Sequence, residues 1–365
     1  MPTNLIPALD PAALPGPPWL FHVLWLLTFL IHLMFMNAVL GGTLLAAFAG
    51  PRSGGRDTKL LLVEINSWAI SLAVTFGIAP LLFIQVLFGR FFYTATVLVA
   101  WAWLGLVVVL MLAYYLNYIA KFRLRTGRGA GVVLMLEAVL FLVIAAIQVV
   151  VNLLHLQPGH WQAVASRAWA ALADPAFIPR YLHFVLGAVT MAAALLAWLA
   201  VRRAARGGDE RSCRAMARYG VRTALVATIV QLADGFWLLL VLPEDVLRSF
   251  MRGGALMLAP LAIGIAAAVA LLVVLAQITD PVQQGGRVRR VAELIVAAML
   301  FMVITRHELR ALYLEPVRAS EQAVVAPQWD VFALFLVVFL VCVGLTVYAL
   351  VRAAKDRPAP GERPA

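Results

Sequence analysis

Apolar runs of about 20 residues, the length that crosses the hydrocarbon core of a bilayer, recur along this chain from one end to the other. They can be read at 19–45, 62–88, 94–120, 130–154, 178–200, 219–242, 255–278 and 330–352, with a shorter run from Val291 to Thr305. The short run reaches crossing length when its helix continues through Arg306, His307 and Glu308 towards Leu314, and the sequence predicts that it does. With 64% hydrophobic and 13% charged residues, the chain has too little polar surface to cover a water-soluble globule of 365 residues. The expected fold is an all-α integral membrane protein with nine transmembrane helices. A segment 1–18 precedes a single transmembrane domain over 19–352, and the Pro- and charge-rich tail 353–365 is expected to be disordered.

Charge sets the expected orientation. If the N-terminus lies outside, 21 of the 29 Lys and Arg residues fall in inner segments and alternate strictly from loop to loop with basic-poor outer ones. That is the positive-inside pattern of a bacterial inner membrane protein with its C-terminus in the cytoplasm. The same count accounts for most of the net charge of +11, so the charge is topological and no nucleic-acid partner is implied.

Other signals narrow the chemistry. The opening MPTNLIPALDPAALPGPPWL has no basic n-region and no small-residue cleavage site, which argues against a removable signal peptide. Cys213 falls in an inner loop and Cys342 inside the last run, so no disulfide is expected. There is no CxxCH for covalent haem, no phosphate loop, no dinucleotide fingerprint and no metalloprotease motif.

All six histidines, His22, His32, His155, His160, His183 and His307, fall on the outer side of this threading. A bilayer does not require that, whereas a protein that holds iron porphyrins near one surface does. His32 lies about 20 Å down the first helix at 1.5 Å per residue, beyond the reach of water, where an ionisable side chain reads as functional. Its readings are an axial haem ligand or an imidazole satisfied by a helix carbonyl. His183 opens the fifth run. GGTLLA follows His32 and AAALLA follows His183 at the same offsets, small residues that would leave a flat slot for a macrocycle against each helix. His22, His155 and His160 stand close enough to water to be interfacial. His307 sits in ITRHELR among Arg306, Glu308 and Arg310, as a ligand beside propionate-binding arginines or as a salt-bridge cluster. Arg90 and Arg180 are further candidate propionate partners. The segment WQAVASRAWAAL, with Trp161, Val164, Trp169 and Leu172 on one face, predicts a surface helix that roofs the histidines. Glu64, Glu137 and Glu293 lie towards the inner ends of their runs, where snorkelling or local ion pairs suffice. Gln85, beside Arg90, is a weaker outer-side candidate.

These features together resemble subunit I of the cytochrome bd quinol oxidases over most of residues 20–350. The nine-span plan is the same. His32 in LIHLMFMNAVLGG, with Gly41 nine residues on, matches the family's first-helix haem ligand, and DPAFIPRYLH places an Asp-Pro nine residues before His183, as before the low-spin haem b histidine. Asp234 in QLADGF falls at the family's Gly-Asp position, and Met257 in GGALMLAPLAIG is the nearest match to the second low-spin ligand. The resemblance implies haem b in one or more copies, with His32, His183 and Met257 on iron, His307 and His155 as further candidates, and Arg90, Arg180 and Arg306 among the cofactor-binding groups. It also implies quinone as substrate. Asp234, one turn after Gln231, is the candidate proton or quinone contact.

The sequence departs from the family in three places. TATVLVAWAWLGLVVVLMLAYY lacks the two third-helix acidic residues. MLFMVITRHELRALYL replaces the eighth-helix Gly-Arg-Gln-Pro-Trp signature and its glutamate, and the quinol loop shrinks to PEDVLRSFMRGG. These departures speak against haem d. Three functions stay open: a membrane cytochrome passing electrons between quinol and a periplasmic c-type cytochrome or second membrane subunit; a divergent terminal oxygen reductase; and a haem-free quinone-interacting anchor or transporter.

Overall fold

The computed structural model describes residues 6–8, 13–318 and 324–355. Residues 356–365, most of the expected tail, and most of the first dozen residues lie outside the described residues. The described chain is helical, with one isolated β-bridge between Leu14 and Val325. Its helices are α1 (Pro18–Phe48), α2 (Gly55–Leu98), α3 (Ala100–Arg125), α4 (Gly131–Leu156), α5 (Trp161–Ser166), α6 (Phe177–Ala205), α7 (Glu210–Leu240), α8 (Glu244–Arg252), α9 (Gly254–Ala276), α10 (Gly285–Arg318) and α11 (Trp329–Lys355). Seven of them, α1 to α4, α6, α7 and α9, are long and apolar enough to cross a membrane. Helix is the form such runs must take, because in hydrocarbon each backbone N–H and C=O has to be satisfied within its own segment. The eighth run lies inside α10, which continues unbroken through Arg306, His307 and Glu308 as expected.

The chain divides into two units. The smaller, Asp10–Phe21 with Gln322–Ala365, contains α11 and is tied by Leu14 N donating to Val324 O at 2.8 Å and Ala326 N donating to Leu14 O at 2.9 Å. The larger, Met1–Leu9 with His22–Glu321, holds the rest of the helices. Its main core joins Leu45 and Ala46 of α1, Leu62 and Val63 of α2, Leu134 of α4, the alanines 192–200 of α6, Met216 and Ala217 of α7, and Leu271 and Leu275 of α9. A second core gathers Phe88, Phe91 and Phe92 with Val149 to Leu154, Trp161 and Leu314.

Three sequence expectations need correction. The second run ends where the sequence put it, at a break in α2 at Phe88, whose φ of −140° and ψ of 27° are non-helical, but the third does not begin at 94. Residues 89–98 form the segment beyond that break, and α3 starts only at Ala100. WQAVASRAWAAL is not one amphipathic helix. Arg167 is extended (φ −149°, ψ 98°), so Trp161 and Val164 are buried, whereas Trp169 and Leu172, on the following 3-10 turn, are exposed.

The small residues after His32 and His183 do not form slots for a macrocycle. A Cβ at Gly41 would strike the Ala188 carbonyl and Ala192 of α6, and one at Gly220 of α7 would strike the Ala193 carbonyl of α6. These positions are where helix backbones touch, which only the smallest side chains permit.

Candidate functional site

His22, Trp25, Phe29 and His32 recur on α1 at helical spacing and share a face. Opposite them stand Arg306, His307 and Arg310 of α10. The His307 ring is 4.8 Å from that of His22 and 5.3 Å from that of Trp25, centroid to centroid. The Arg306 guanidinium lies 4.8 Å over Phe29, and that of Arg310 lies 4.3 Å over Trp25. Phe88, at the break in α2, joins this wall to α4, with its ring 6.0 Å from His22 and 5.7 Å from His155. His155 is 1% exposed, so it is not the interfacial residue its position at a helix end implied.

The two histidines singled out by the sequence share one chemical arrangement. His32 Nδ1 is 2.8 Å from the Ala73 carbonyl of α2, which can only accept, so Nδ1 carries the proton and Nε2 keeps its lone pair. The ring lies against Gly77, where a Cβ would come within 2.9 Å of Cε1. His183 Nδ1 donates to Asp234 Oδ2 at 3.1 Å, a partner 51 residues away on α7. Its ring lies over Gly235, where a Cβ would sit 3.4 Å from Cε1. In both cases Nδ1 is engaged and Nε2 has no hydrogen-bond partner among the described residues. A second-shell acceptor on one ring nitrogen is what orients an imidazole whose other nitrogen binds a metal. Asp234 is buried, and it faces His183.

Arginines complete this end of the bundle. Arg310 is 2% exposed, its charged neighbours are Arg306 and Arg180, and its Nε and Nη1 have no hydrogen-bond partner among the described residues. Among the described residues no carboxylate lies within ion-pair distance of Arg180, Arg306 or Arg310. Arg180 Nη1 donates to Asn152 Oδ1 at 3.3 Å, and Asp174, an acid acting on Arg180, is already occupied. It lies 3.3 Å from His160 Nδ1 and accepts from Gln157 Nε2 and the Ala176 amide. That hydrogen bond raises the His160 imidazole above its ordinary range. For Asp174, burial is the largest single influence and pushes the carboxyl up, but the hydrogen bonds from His160, Ala176 and Gln157 together outweigh it and hold it down. Three guanidinium groups grouped in a low-dielectric setting repel one another and lack their hydration, so the place favours an anion.

The other predicted residues are elsewhere or differently engaged. Arg90 donates to the Pro7 and Val317 carbonyls, both at 3.2 Å, and lies over Phe91, so it is not among the converging arginines. Met257, in the first turn of α9, folds back onto Gly253. Gln85 accepts from Tyr93, and Gln231 packs beside Gly187. Glu64 and Glu293 form exposed ion pairs with Arg125 and Arg289, as their positions implied.

Glu137 does not fit that pattern. It is wholly buried, with Oε1 accepting from Thr43 Oγ1 at 3.3 Å, and it heads a polar chain in which Asn66 Nδ2 donates to Thr43 at 2.8 Å. Beside Asn66, Ser67 accepts from Asn117 at 3.0 Å and from Lys121 at 3.4 Å. Asn, Thr and Ser on the three preceding apolar runs were the signal available for it.

No family model and no curated protein sequence matches the chain. A solved structure does: the bd oxidase from Geobacillus thermodenitrificans superposes with a TM-score of 0.73 over 95% of this chain and 100% of that one, at 15% identity. The chain has the bd oxidase fold. A likeness of this extent, with so little sequence in common, makes the chain a multi-pass helical membrane protein built on the bd oxidase plan. Among the described residues, His22 and His307 meet between α1 and α10 beside Arg306 and Arg310, and His183 meets Asp234 between α6 and α7. Two features there fit a porphyrin bearing carboxylate arms: imidazoles offering one nitrogen each, and buried guanidinium groups without acidic partners.

Proposed function

We propose that this chain is a membrane b-type cytochrome of a respiratory chain in the bacterial inner membrane. It passes electrons between quinol and a periplasmic c-type cytochrome or partner subunit, by way of haem held at the histidine-bearing end of the bundle. The observation that carries this reading is the His183–Asp234 pair, matched by His32 on the Ala73 carbonyl. A bound haem supplies a reversible one-electron step. The protein's part is to hold and tune it. Asp234 fixes the His183 ring and its tautomer and makes Nε2 more basic. Arg306, Arg310 and Arg180 bind carboxylate arms, which neutralise their mutual repulsion. Met257 is the proposed second ligand with His183, and His307 and His155 are further candidate ligands. Nine crossings with the N-terminus outside place this end towards the periplasm, within reach of a soluble carrier and, laterally, of quinone.

A second reading, a terminal oxygen reductase with altered ligands, draws on the fold shared with the bd oxidase. Oxygen uptake inhibited by cyanide or nitric oxide would favour it.

The reduced-minus-oxidised spectrum of purified protein tests the first reading. His183→Ala is expected to remove a low-spin b signal and His32→Ala a separate haem population, while Asp234→Asn weakens haem retention roughly 10- to 100-fold, as loss of an outer-shell partner does. A colourless, folded preparation from cells well supplied with porphyrin, or full pigment in both alanine variants, overturns it.

A further inference from the structure

At the other end of α1, 31 residues and therefore about 46 Å from its start, the larger unit contains a cavity of about 1090 Å³. Its walls are the end of α1, the 3-10 turn Pro51–Ser53 and the first turns of α7. Arg211, Arg214, Arg218 and Arg222 recur at helical spacing, so one face of α7 turns four guanidinium groups into it, and Arg52 adds a fifth from the turn. Glu210 is the one carboxylate in the lining, and Arg214 holds it at 2.6 Å while also reaching Asp280 at 3.5 Å. Arg52, Arg211, Arg218 and Arg222 have no ion pair among the described residues. The floor is not polar: Tyr219 donates to the Leu45 carbonyl at 3.1 Å, which pins α7 to α1, and the Phe48 ring is exposed at the rim.

A general inward bias of basic residues accounts for arginines being on this side, but not for five of them converging on one concavity with an apolar edge. Like charges held this way favour an anion with several oxygens, and guanidinium groups bind phosphate in fork geometry. The volume lies just above the ~300–1,000 Å³ usual for small-ligand sites. Basic pockets beside membrane helices on the cytoplasmic side are where anionic headgroups seat. From this convergence we infer that the cavity binds a phosphate-bearing anion, either the headgroup of an anionic phospholipid or a soluble phosphate compound. The site is separate from the histidine-bearing end and does not rest on the haem reading.

The test uses the full chain and an Arg218→Gln/Arg222→Gln variant, whose altered side chains are exposed and make no hydrogen bond among the described residues. Each is reconstituted with phosphatidylcholine vesicles containing diphosphatidylglycerol, and bound phospholipid is measured after removal of free lipid. In parallel, melting in detergent is followed with and without inorganic phosphate. Retention of diphosphatidylglycerol by the parent, falling roughly tenfold or more in the variant, establishes a lipid site. Stabilisation by inorganic phosphate alone, lost in the variant, assigns the site to a soluble phosphate compound. If neither probe binds the parent, or the variant binds as the parent does, the inference fails. Should the variant not fold, the parent decides: diphosphatidylglycerol that resists high salt, where a guanidinium–phosphate contact must weaken, overturns the proposal, and release by salt with retention in Arg218→Lys/Arg222→Lys upholds it.

Discussion

Arg310 is held between aromatic rings, with Trp25 at 4.3 Å and Phe88 at 5.4 Å, and its charged neighbours are two further arginines. Cation–π contact returns about 2 kcal/mol to a desolvated guanidinium, less than a buried charge loses on leaving water. Without an anion the residue is therefore a burden on the fold, and with one it is a clamp. The expected outcome for Arg310→Met is opposite in the two states. Haem-free protein gains about 1–3 kcal/mol, the cost of an unsatisfied buried polar group, while loaded protein loses pigment more readily. Melting curves for both forms, followed at the Soret band for the loaded one, check this, and a loss of stability in both would assign Arg310 a purely structural role. His32 and Asp234 stood out as single residues because ionisable groups at depth contrast with an apolar run, whereas His183, at the mouth of its run, was singled out by the segment DPAFIPRYLH and the family resemblance. The burial of Glu137 was not, since position along a helix says how deep a side chain lies but not which neighbour it faces.

Among the elements, α1, α6 and α7 pack through glycine and alanine. Gly41 meets the Ala188 carbonyl and Gly220 meets that of Ala193, so these contacts have no space for a longer side chain. Gly41→Leu is expected to force α1 off α6 at a cost of about 1–3 kcal/mol or more, seen as a lower melting temperature in detergent. The displacement also moves His32, nine residues earlier on the same helix, so any pigment it holds should shift its spectrum. An unchanged melting temperature would mean that the two helices do not touch there. Element identity was readable from runs of apolar residues, and the second run ended at the break at Phe88, but the helical segment 89–98 beyond it was not foreseen. Phe91, Phe92 and Ala95 of that segment are buried in a core with α4 and α5 residues, so packing rather than an apolar run of crossing length holds it helical.

For the whole molecule, orientation is the property that decides which carriers can reach the candidate site. If α10 and α11 both cross, a cysteine introduced at Gln328 is labelled by an impermeant reagent from outside, and one at Thr279, between α9 and α10, only from the cytoplasm. The reverse pattern would remove the periplasmic carrier from the proposal. What the sequence by itself determined is what a bilayer demands of each segment separately: apolar runs long enough to cross, helix as their form, basic residues biased to alternate loops, and histidines gathered towards one end. Tertiary structure alone decided that His183 meets Asp234 across 51 residues, that Arg180 joins Arg306 and Arg310 while Arg90 does not, and that the residues after His32 serve helix contact. The physical reason is that hydrocarbon acts on a helix through its composition, which is local. A side chain's partner depends on how far each helix is rotated about its own axis, and in an almost uniformly apolar run no amphipathic face records that rotation.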